Sequence, residues 1–273
     1  MTSSDDRTVQ EAPKPPLPSA TIILARDSQQ GMQIFMVKRN HQIDFASGAL
    51  VFPGGKVETG DQNPLLSRYV NYVPTEISDL KFMIAAIRET FEESGILLAT
   101  DLNGEKLANT HLQKLEKYRS MLENKEIEFT EFLQLENLHA DTDCLVFYSH
   151  WITPEIMPKR FDTKFFIVKV PEDQIGHHDG SESVDSLWIS PKQALADYEE
   201  KKRTIIFPTR MNISLLLPFQ TVDEALAKFK DQKPETICPW IEERENGAFL
   251  CIPEGTDYMQ SEISLEKLMK DGG

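Results

Sequence analysis

AAIRETFEESGI, from Ala85 to Ile96, is the stretch that decides how this chain folds. Its residues Glu89, Glu92 and Glu93 are spaced i, i+3 and i+4, so a helix of about 3.6 residues per turn places all three carboxylates on one side. These charges repel one another, and Arg88 is the only cation of the segment. Because hard divalent cations prefer oxygen ligands, the cluster indicates a metal site.

A glycine turn precedes this helix. The sequence VFPGGKVETGD, residues 51–61, contains Gly54 and Gly55, which have no side chain and let the backbone come close to a metal or a phosphate. Gly95 suits the C′ position, at which helices commonly end. A glycine turn combined with a carboxylate helix indicates metal-assisted phosphate chemistry.

The two stretches together resemble the Nudix box. In that motif a glycine, five residues, a glutamate and seven residues precede Arg-Glu-aliphatic-x-Glu-Glu-x-Gly-aliphatic. Gly55 matches the opening glycine, and residues 88–96 match the closing half. The chain departs from the motif in three ways: Asp61 replaces the first glutamate, Thr90 replaces an aliphatic residue, and residues 62–87 fill a gap that usually holds seven.

The insertion is a feature of one subgroup, the organellar coenzyme A diphosphatase type, which the chain also resembles at residues 36–61, 150–170 and 186–195. The resemblance implies hydrolysis of a phosphoanhydride in a nucleoside diphosphate linked to another moiety. Coenzyme A or acyl-CoA would yield 3′,5′-ADP and (acyl) 4′-phosphopantetheine. An ADP-ribose, nucleotide-sugar or dinucleoside polyphosphate diphosphatase is an alternative, and a non-catalytic nucleotide-binding Nudix sensor is a second one.

The resemblance also implies roles for residues of the box. Mg²⁺ or Mn²⁺ would be bound mainly by Glu89 and Glu93, with Glu92 close by and the Gly55 carbonyl contributing. Arg88 would orient the acidic groups. The resemblance thus implies that Glu89 and Arg88 are catalytic residues. Asp61 is one methylene shorter than glutamate but is the candidate partner for the arginine.

Other site residues lie outside the box. Glu182 is the candidate general base, in a loop that also offers Asp179 and Asp185. The cations expected to contact substrate phosphates are Lys38, Arg39 and Arg160.

The implied fold is α+β, a Nudix α/β/α sandwich with a mixed sheet. We expect a disordered tail at 1–18, the Nudix domain at 19–215 and a C-terminal extension packed on it at 216–273. Within the domain we expect the insertion at 62–80 and a helical region at 105–138. The high charge of that helical region favours a solvated lid or a dimer-contact layer.

Composition excludes some partners. The 273 residues include 29 basic and 44 acidic ones, for a formal net charge of −15, which disfavours nucleic acid and anionic membranes. A bound dication would reverse the sign locally for an anionic substrate. The three cysteines are widely spaced without a CxxC pair, so zinc and disulfide frameworks are not expected.

The sequence also bears on localisation and assembly. The chain lacks a membrane-length apolar run, a signal-peptide core and a peroxisomal C-terminal tripeptide, so we expect a cytoplasmic protein. Homodimers are common in the resembled superfamily, which leaves a homodimer open here.

Overall fold

A mixed β-sheet forms the centre of the fold. The computed structural model describes residues 14–39, 48–170, 176 and 183–270, and the statements below concern these residues. The strands are β1 Leu17–Ser28, β2 Gly31–Arg39, β3 Leu50–Val51, β4 Gly54–Lys56, β5 Ala99–Asp101, β6 Leu138–Ala140, β7 Val146–Ile152, β8 Phe161–Lys169, β9 Ser183–Ile189, β10 Thr236–Ile237, β11 Trp240–Arg244, β12 Gly247–Cys251 and β13 Glu262–Ser264.

Helices cover both faces of this sheet. They are α1 Leu80–Ser94, α2 Asn109–Leu115, α3 Lys117–Glu123, α4 Phe129–Glu136, α5 Pro191–Glu199, α6 Phe207–Ser214, α7 Val222–Lys230 and α8 Leu265–Lys270. No helix in the described part of the chain is both long and apolar enough to cross a membrane.

The main sheet has eight strands in the order β10-β7-β8-β1-β2-β3, with β4 added beside β1 and β9 beside β2. Strand β1 runs parallel to β8 and antiparallel to β2 and β4, which makes the sheet mixed. A tight turn joins β1 to β2, and Gly31 supplies the positive φ of 98° that this turn requires. Smaller sheets are formed by β5 with β6 and by β11, β12 and β13.

Strand β1 is buried on both faces. Ile22 and Leu24 belong to one hydrophobic core, whereas Ile23 and Ala25 belong to a second. Because successive side chains of a strand point to opposite faces, the two cores lie on opposite sides of the sheet. Helices α1 to α4 contribute to the first core and α5 to α7 to the second. The predicted α/β/α sandwich is confirmed.

Helix α1 is the carboxylate helix. Phe82, Ala85 and Phe91 are buried in the first core. Gly95 ends the helix with a left-handed φ of 70°, and its N–H donates to the Phe91 carbonyl at 2.9 Å. Thr90, the departure from the aliphatic pattern, is fully buried, and its hydroxyl donates to the Ala86 carbonyl at 2.6 Å. A local acceptor therefore satisfies the polar atom that this departure places in the core.

The start of α1 differs from what the sequence predicts. Ser78 or Asp79 is a candidate cap for the first turn, but the Asp79 side chain makes no capping hydrogen bond. It instead pairs with Lys164 of β8, at 2.5 Å. The helix is thus fixed to the sheet by an ion pair at this end.

The insertion packs against the first core. A short 3₁₀ turn at Gly60–Gln62 leads into it, and it contains two more at Pro64–Arg68 and Ile77–Asp79. Leu66 is fully buried, and Val70 forms a β-bridge with Ala140. Because α1 begins at Leu80, the last residue of the predicted insertion belongs to the helix.

The helical region at 105–138 is not a solvated lid, and that part of the prediction is wrong. Leu115, Phe132 and Leu133 of α2 and α4 are fully buried in the first core. Phe132 stacks on Phe91 of α1 with ring centroids 5.6 Å apart. The charged residues lie on the outer side of helices whose inner side is apolar. The average charge of the region therefore does not show that these helices pack on the core.

The two ends of the domain also differ from expectation. Strand β1 begins at Leu17, so this residue and Pro18 belong to the sheet rather than to the predicted tail, and residues 1–13 lie outside the described chain. The C-terminal extension contributes β10, which pairs with β7 of the main sheet, and Val222, Phe229 and Ile252 of the second core. It is therefore an integral part of the fold.

Candidate active site

Arg88 organises the polar side of α1. The guanidinium is buried and forms a bidentate pair with Asp61, with Nε–Oδ1 and Nη2–Oδ2 distances of 2.9 Å. Asp61 is itself only 2% exposed and also accepts the Glu58 N–H at 2.8 Å. Asp61 thus makes the contact expected of the glutamate that it replaces in the box.

The remaining N–H donors of Arg88 reach the metal-site carboxylates and the glycine turn. Nη1 donates to Glu89 Oε1 and to Glu92 Oε2, both at 3.0 Å, and Nη2 donates to the Lys56 carbonyl at 3.1 Å. Every N–H of the guanidinium therefore has an acceptor. Charge-assisted bonds of this kind fix the orientation of both carboxylates.

The glycine turn lies directly against the carboxylates. The Gly54 N–H donates to Glu93 Oε2 at 3.0 Å. A Cβ atom on Gly55 would stand 2.3 Å from Glu89 Oε1, so this position has room for the carboxylate only because it is glycine. Gly54 has a φ of 153°, and a Cβ there would lie 2.4 Å from the Ala20 carbonyl oxygen. The predicted proximity of the turn to the acidic face is confirmed.

These side chains line one cavity of about 190 Å³. Three lining residues, Leu122, Glu123 and Lys125, come from α3 and the turn after it, which the sequence had not linked to the site. No local sequence pattern marks these residues as part of the site, because only the packing of α3 on α1 brings them to the cavity. The complete lining is Glu58, Arg88, Glu89, Glu92, Glu93, Leu122, Glu123 and Lys125.

Burial and charge perturb the ionisable groups of this cavity. Burial raises the pKa of Glu92 to about 8, because the nearby charge of Arg88 only partly offsets desolvation and the repulsion of Glu89, Glu58 and Asp61. Burial by itself would lower the pKa of Arg88, but the hydrogen bond to Asp61 and the surrounding carboxylates raise it well above its usual value. Arg88 therefore stays charged, and Glu92 holds a proton near neutral pH when no cation neutralises its neighbours.

The carboxylates do not already form a coordination set. Within the described ranges, no group of three or more His, Cys, Asp or Glu side chains is arranged to hold a metal ion. Arg88 holds Glu89 and Glu92, and the Gly54 amide holds Glu93. Cation binding would require these carboxylates to exchange some of their present partners.

Three other predicted site residues, Lys38, Arg39 and Arg160, do not line this cavity. Lys38 and Arg39 end β2, at an irregularity in its pairing with β9, and neither lines the cavity. Arg160 is buried and donates from Nε to the Thr153 carbonyl and from Nη1 to the Lys14 carbonyl, both at 3.0 Å. These contacts indicate a structural role for Arg160 and do not support the predicted phosphate contact. Glu182 lies outside the described residues.

Comparison with known families gives a match over more than half of the chain. The family described as the NUDT19 Nudix domain matches residues 67–216, a range that contains α1 and all three of its glutamates. A protein from Xenopus laevis named acyl-coenzyme A diphosphatase NUDT19 is 27% identical, in an alignment that covers 88% of this chain and 78% of that protein. The protein of the same name from Homo sapiens is 24% identical, in an alignment that covers 89% of this chain and 79% of that protein.

A solved structure has the same architecture. The crystal structure of a Nudix hydrolase from Alicyclobacillus acidocaldarius matches with a TM-score of 0.65 and 23% sequence identity. The match covers 81% of this chain and 99% of that one. At this identity the likeness supports the fold alone.

Proposed function

The chain belongs to the NUDT19-type family of Nudix hydrolase domains, and from this premise we propose that it is a metal-dependent diphosphatase of coenzyme A or acyl-CoA. The relatives named acyl-coenzyme A diphosphatase, which align over most of the chain, support this substrate class. In the proposed reaction water attacks one phosphorus of the diphosphate, and the P–O–P bond breaks. The products are 3′,5′-ADP and 4′-phosphopantetheine, which keeps the acyl group if one is present.

The observation that carries the proposal is the position of Glu89 and Glu93 against the Gly54-Gly55 turn, with Glu92 lining the same cavity. Their oxygens are hard donors of the kind that Mg²⁺ and Mn²⁺ prefer, and they line a single cavity. Five glutamates and two cations line the cavity, so it carries more negative charge than its own cations neutralise. The donor set therefore fits a divalent cation in chemistry, with Glu89 and Glu93 as the main proposed ligands.

A bound Mg²⁺ would supply positive charge to the phosphate oxygens and make an attacking water more acidic. The protein's own groups have separate tasks. Arg88 orients Glu89 and Glu92 through Nη1, and Asp61 holds Arg88 in place. The Gly54 N–H orients Glu93. Glu182 remains the proposed base that accepts the proton of the water.

A substrate panel tests the proposal. We would supply coenzyme A, acetyl-CoA, ADP-ribose, a nucleotide sugar and a dinucleoside polyphosphate with Mg²⁺, and identify the products by chromatography and mass spectrometry. Coenzyme A or acetyl-CoA should give 3′,5′-ADP, and removing the metal with a chelator should stop the reaction. Turnover of only the other compounds would contradict the substrate assignment. Tight binding of nucleotide without any turnover would contradict an enzymatic role.

Matched substitutions locate the chemistry in the cavity. Glu93→Gln removes the charge but keeps the size of the side chain that the Gly54 amide holds. We expect a loss of at least about a hundredfold in kcat, in the range found when one group that stabilises the transition state is removed. Glu199→Gln, on the exposed end of α5, removes the same charge elsewhere and should leave kcat unchanged.

A further inference from the structure

We propose that Lys125 contacts a phosphate of the bound diphosphate and so positions it over the carboxylates of α1. The inference rests on the proposed function, because it presumes an anionic substrate in the cavity. It concerns a residue outside the Nudix box, in the turn between α3 and α4.

Two cations, Arg88 and Lys125, line the cavity, and they differ in burial and in how many of their N–H donors already have acceptors. Arg88 is buried and every one of its N–H donors already has an acceptor. Lys125 pairs through Nζ with Glu58 Oε1 at 2.8 Å, and its side chain is 69% exposed. An exposed pair of this kind is weak, and an ammonium group has further N–H donors. Lys125 is therefore the lining cation that can turn toward an incoming anion.

The negative charge of the cavity is the reason that an additional cation would help an anionic substrate to bind. Five of its eight lining residues are glutamates. A diphosphate entering this cavity meets repulsion from carboxylates that a single dication does not fully neutralise. The ammonium of Lys125, which lines the same cavity as the glutamates of α1, would lower that repulsion.

Lys125 occupies the left-handed turn that ends α3. The residue has a φ of 58° and occupies the C′ position of α3. Its N–H donates to the Leu122 carbonyl at 2.9 Å, and the Glu126 N–H donates to the Met121 carbonyl at 2.8 Å, which together make a Schellman motif. Glycine is the preferred residue there, because a Cβ atom disfavours the left-handed region. Replacing Lys125 by glycine should therefore keep this backbone conformation.

Packing holds this turn in place relative to α1. Arg119 of α3 donates from Nε and Nη2 to the Glu92 carbonyl, at 3.2 and 3.0 Å. Leu122 is buried in the first core and also lines the cavity. The backbone of Lys125 is therefore fixed, and only its side chain needs to move when it exchanges Glu58 for a phosphate.

The chain offers a matched control in Lys201. This residue also has a φ of 58°, and its N–H donates to the Tyr198 carbonyl at 2.9 Å. The Lys202 N–H donates to the Asp197 carbonyl at 2.8 Å, so the turn after α5 repeats the same motif. Lys201 does not line the cavity. Replacing either lysine by glycine removes the same side chain from a residue with the same backbone conformation.

The experiment compares Lys125→Gly, Lys125→Arg and Lys201→Gly by steady-state kinetics on coenzyme A and by thermal unfolding. Lys125→Gly should raise KM about tenfold with a smaller change in kcat, as expected for one lost charge-assisted hydrogen bond. Its melting temperature should equal that of the wild type or exceed it by up to about 3 °C, because glycine relieves the left-handed strain. Lys201→Gly should show the same thermal change with unchanged KM, and Lys125→Arg should retain most of the affinity.

Two outcomes would overturn the inference while leaving the proposed function intact. The first is a KM for Lys125→Gly within about twofold of the wild type, with Glu93→Gln still inactive. The second is Lys125→Arg binding no better than Lys125→Gly, which would show that charge is not the property used. A wild-type protein that hydrolyses no diphosphate would instead overturn the proposed function, and this inference with it.

Discussion

Replacing Asp61 by asparagine removes the charge that balances Arg88 and keeps the shape of the side chain. The wild-type carboxylate accepts two Arg88 N–H bonds at 2.9 Å and the Glu58 N–H at 2.8 Å. Asparagine can accept through one oxygen only, and its amide nitrogen then faces N–H donors. Arg88 keeps its charge in a buried position with less compensation.

The expected cost follows from these contacts. One charge-assisted hydrogen bond is worth about 1.5–3 kcal/mol, and breaking a buried ion pair from one side costs about 3–5 kcal/mol. Because the asparagine side chain would keep one of the bonds, we expect Asp61→Asn to lose about 3 kcal/mol in the free energy of unfolding. For a domain of this size that corresponds to a fall of about 6–12 °C in melting temperature.

Urea unfolding of the wild type, Asp61→Asn and Asp257→Asn measures this difference. Asp257 pairs with Lys228 at 3.9 Å on the surface, with 76% of its side chain exposed, so its replacement should cost less than about 1 kcal/mol. Equal losses in the two variants would refute the argument that burial makes the Asp61–Arg88 pair important. We also expect a lower kcat in Asp61→Asn only, since Arg88 orients Glu89 and Glu92.

Further predictions concern the glycine turn, the titration of the site and the helical layer. Gly55→Ala should displace the Glu89 carboxylate and lower kcat about a hundredfold with little change in melting temperature, because the clash is with a flexible side chain. Gly54→Ala should lower the melting temperature, measured by calorimetry, because its Cβ would meet the backbone of β1. The pKa of Glu92 is raised to about 8, so above about pH 4.5 the folded protein holds a proton that the unfolded chain has released. The free energy of unfolding of the metal-free protein should therefore fall as the pH rises from about 5 to about 8. Chemical unfolding across that range should show a smaller decrease in Glu92→Gln, and equal slopes would contradict the assignment. Phe132→Ala should cost about 3–5 kcal/mol of unfolding free energy, whereas a cost near zero would contradict the burial of α4.

The sequence predicted the parts of the site that depend on local spacing. Helical periodicity was sufficient to place Glu89, Glu92 and Glu93 on one side of α1, and Gly95 identified the end of that helix. The role of Asp61 could also be anticipated, since the motif expects an acid at that position. These predictions succeeded because each depends on residues within one helix or on one known motif.

The parts that depend on tertiary packing could not be predicted. Lys125 and Leu122 reach the cavity only because α3 packs across α1, and neither residue carries a local signal of that contact. Arg160 has the charge expected of a phosphate ligand, but burial directs its donors to backbone carbonyls. The helical region at 105–138 was predicted to be a solvated lid because its average charge conceals an apolar inner side that includes Phe132.

The most direct test of the central claim is a Mn²⁺ titration followed by electron paramagnetic resonance, on the wild type and on a Glu89→Gln/Glu93→Gln double variant. We expect the wild type to remove free Mn²⁺ from solution with a stoichiometry of about one, and the folded double variant to lose this binding. Unchanged Mn²⁺ affinity in the double variant would show that the carboxylates of α1 do not form the metal site.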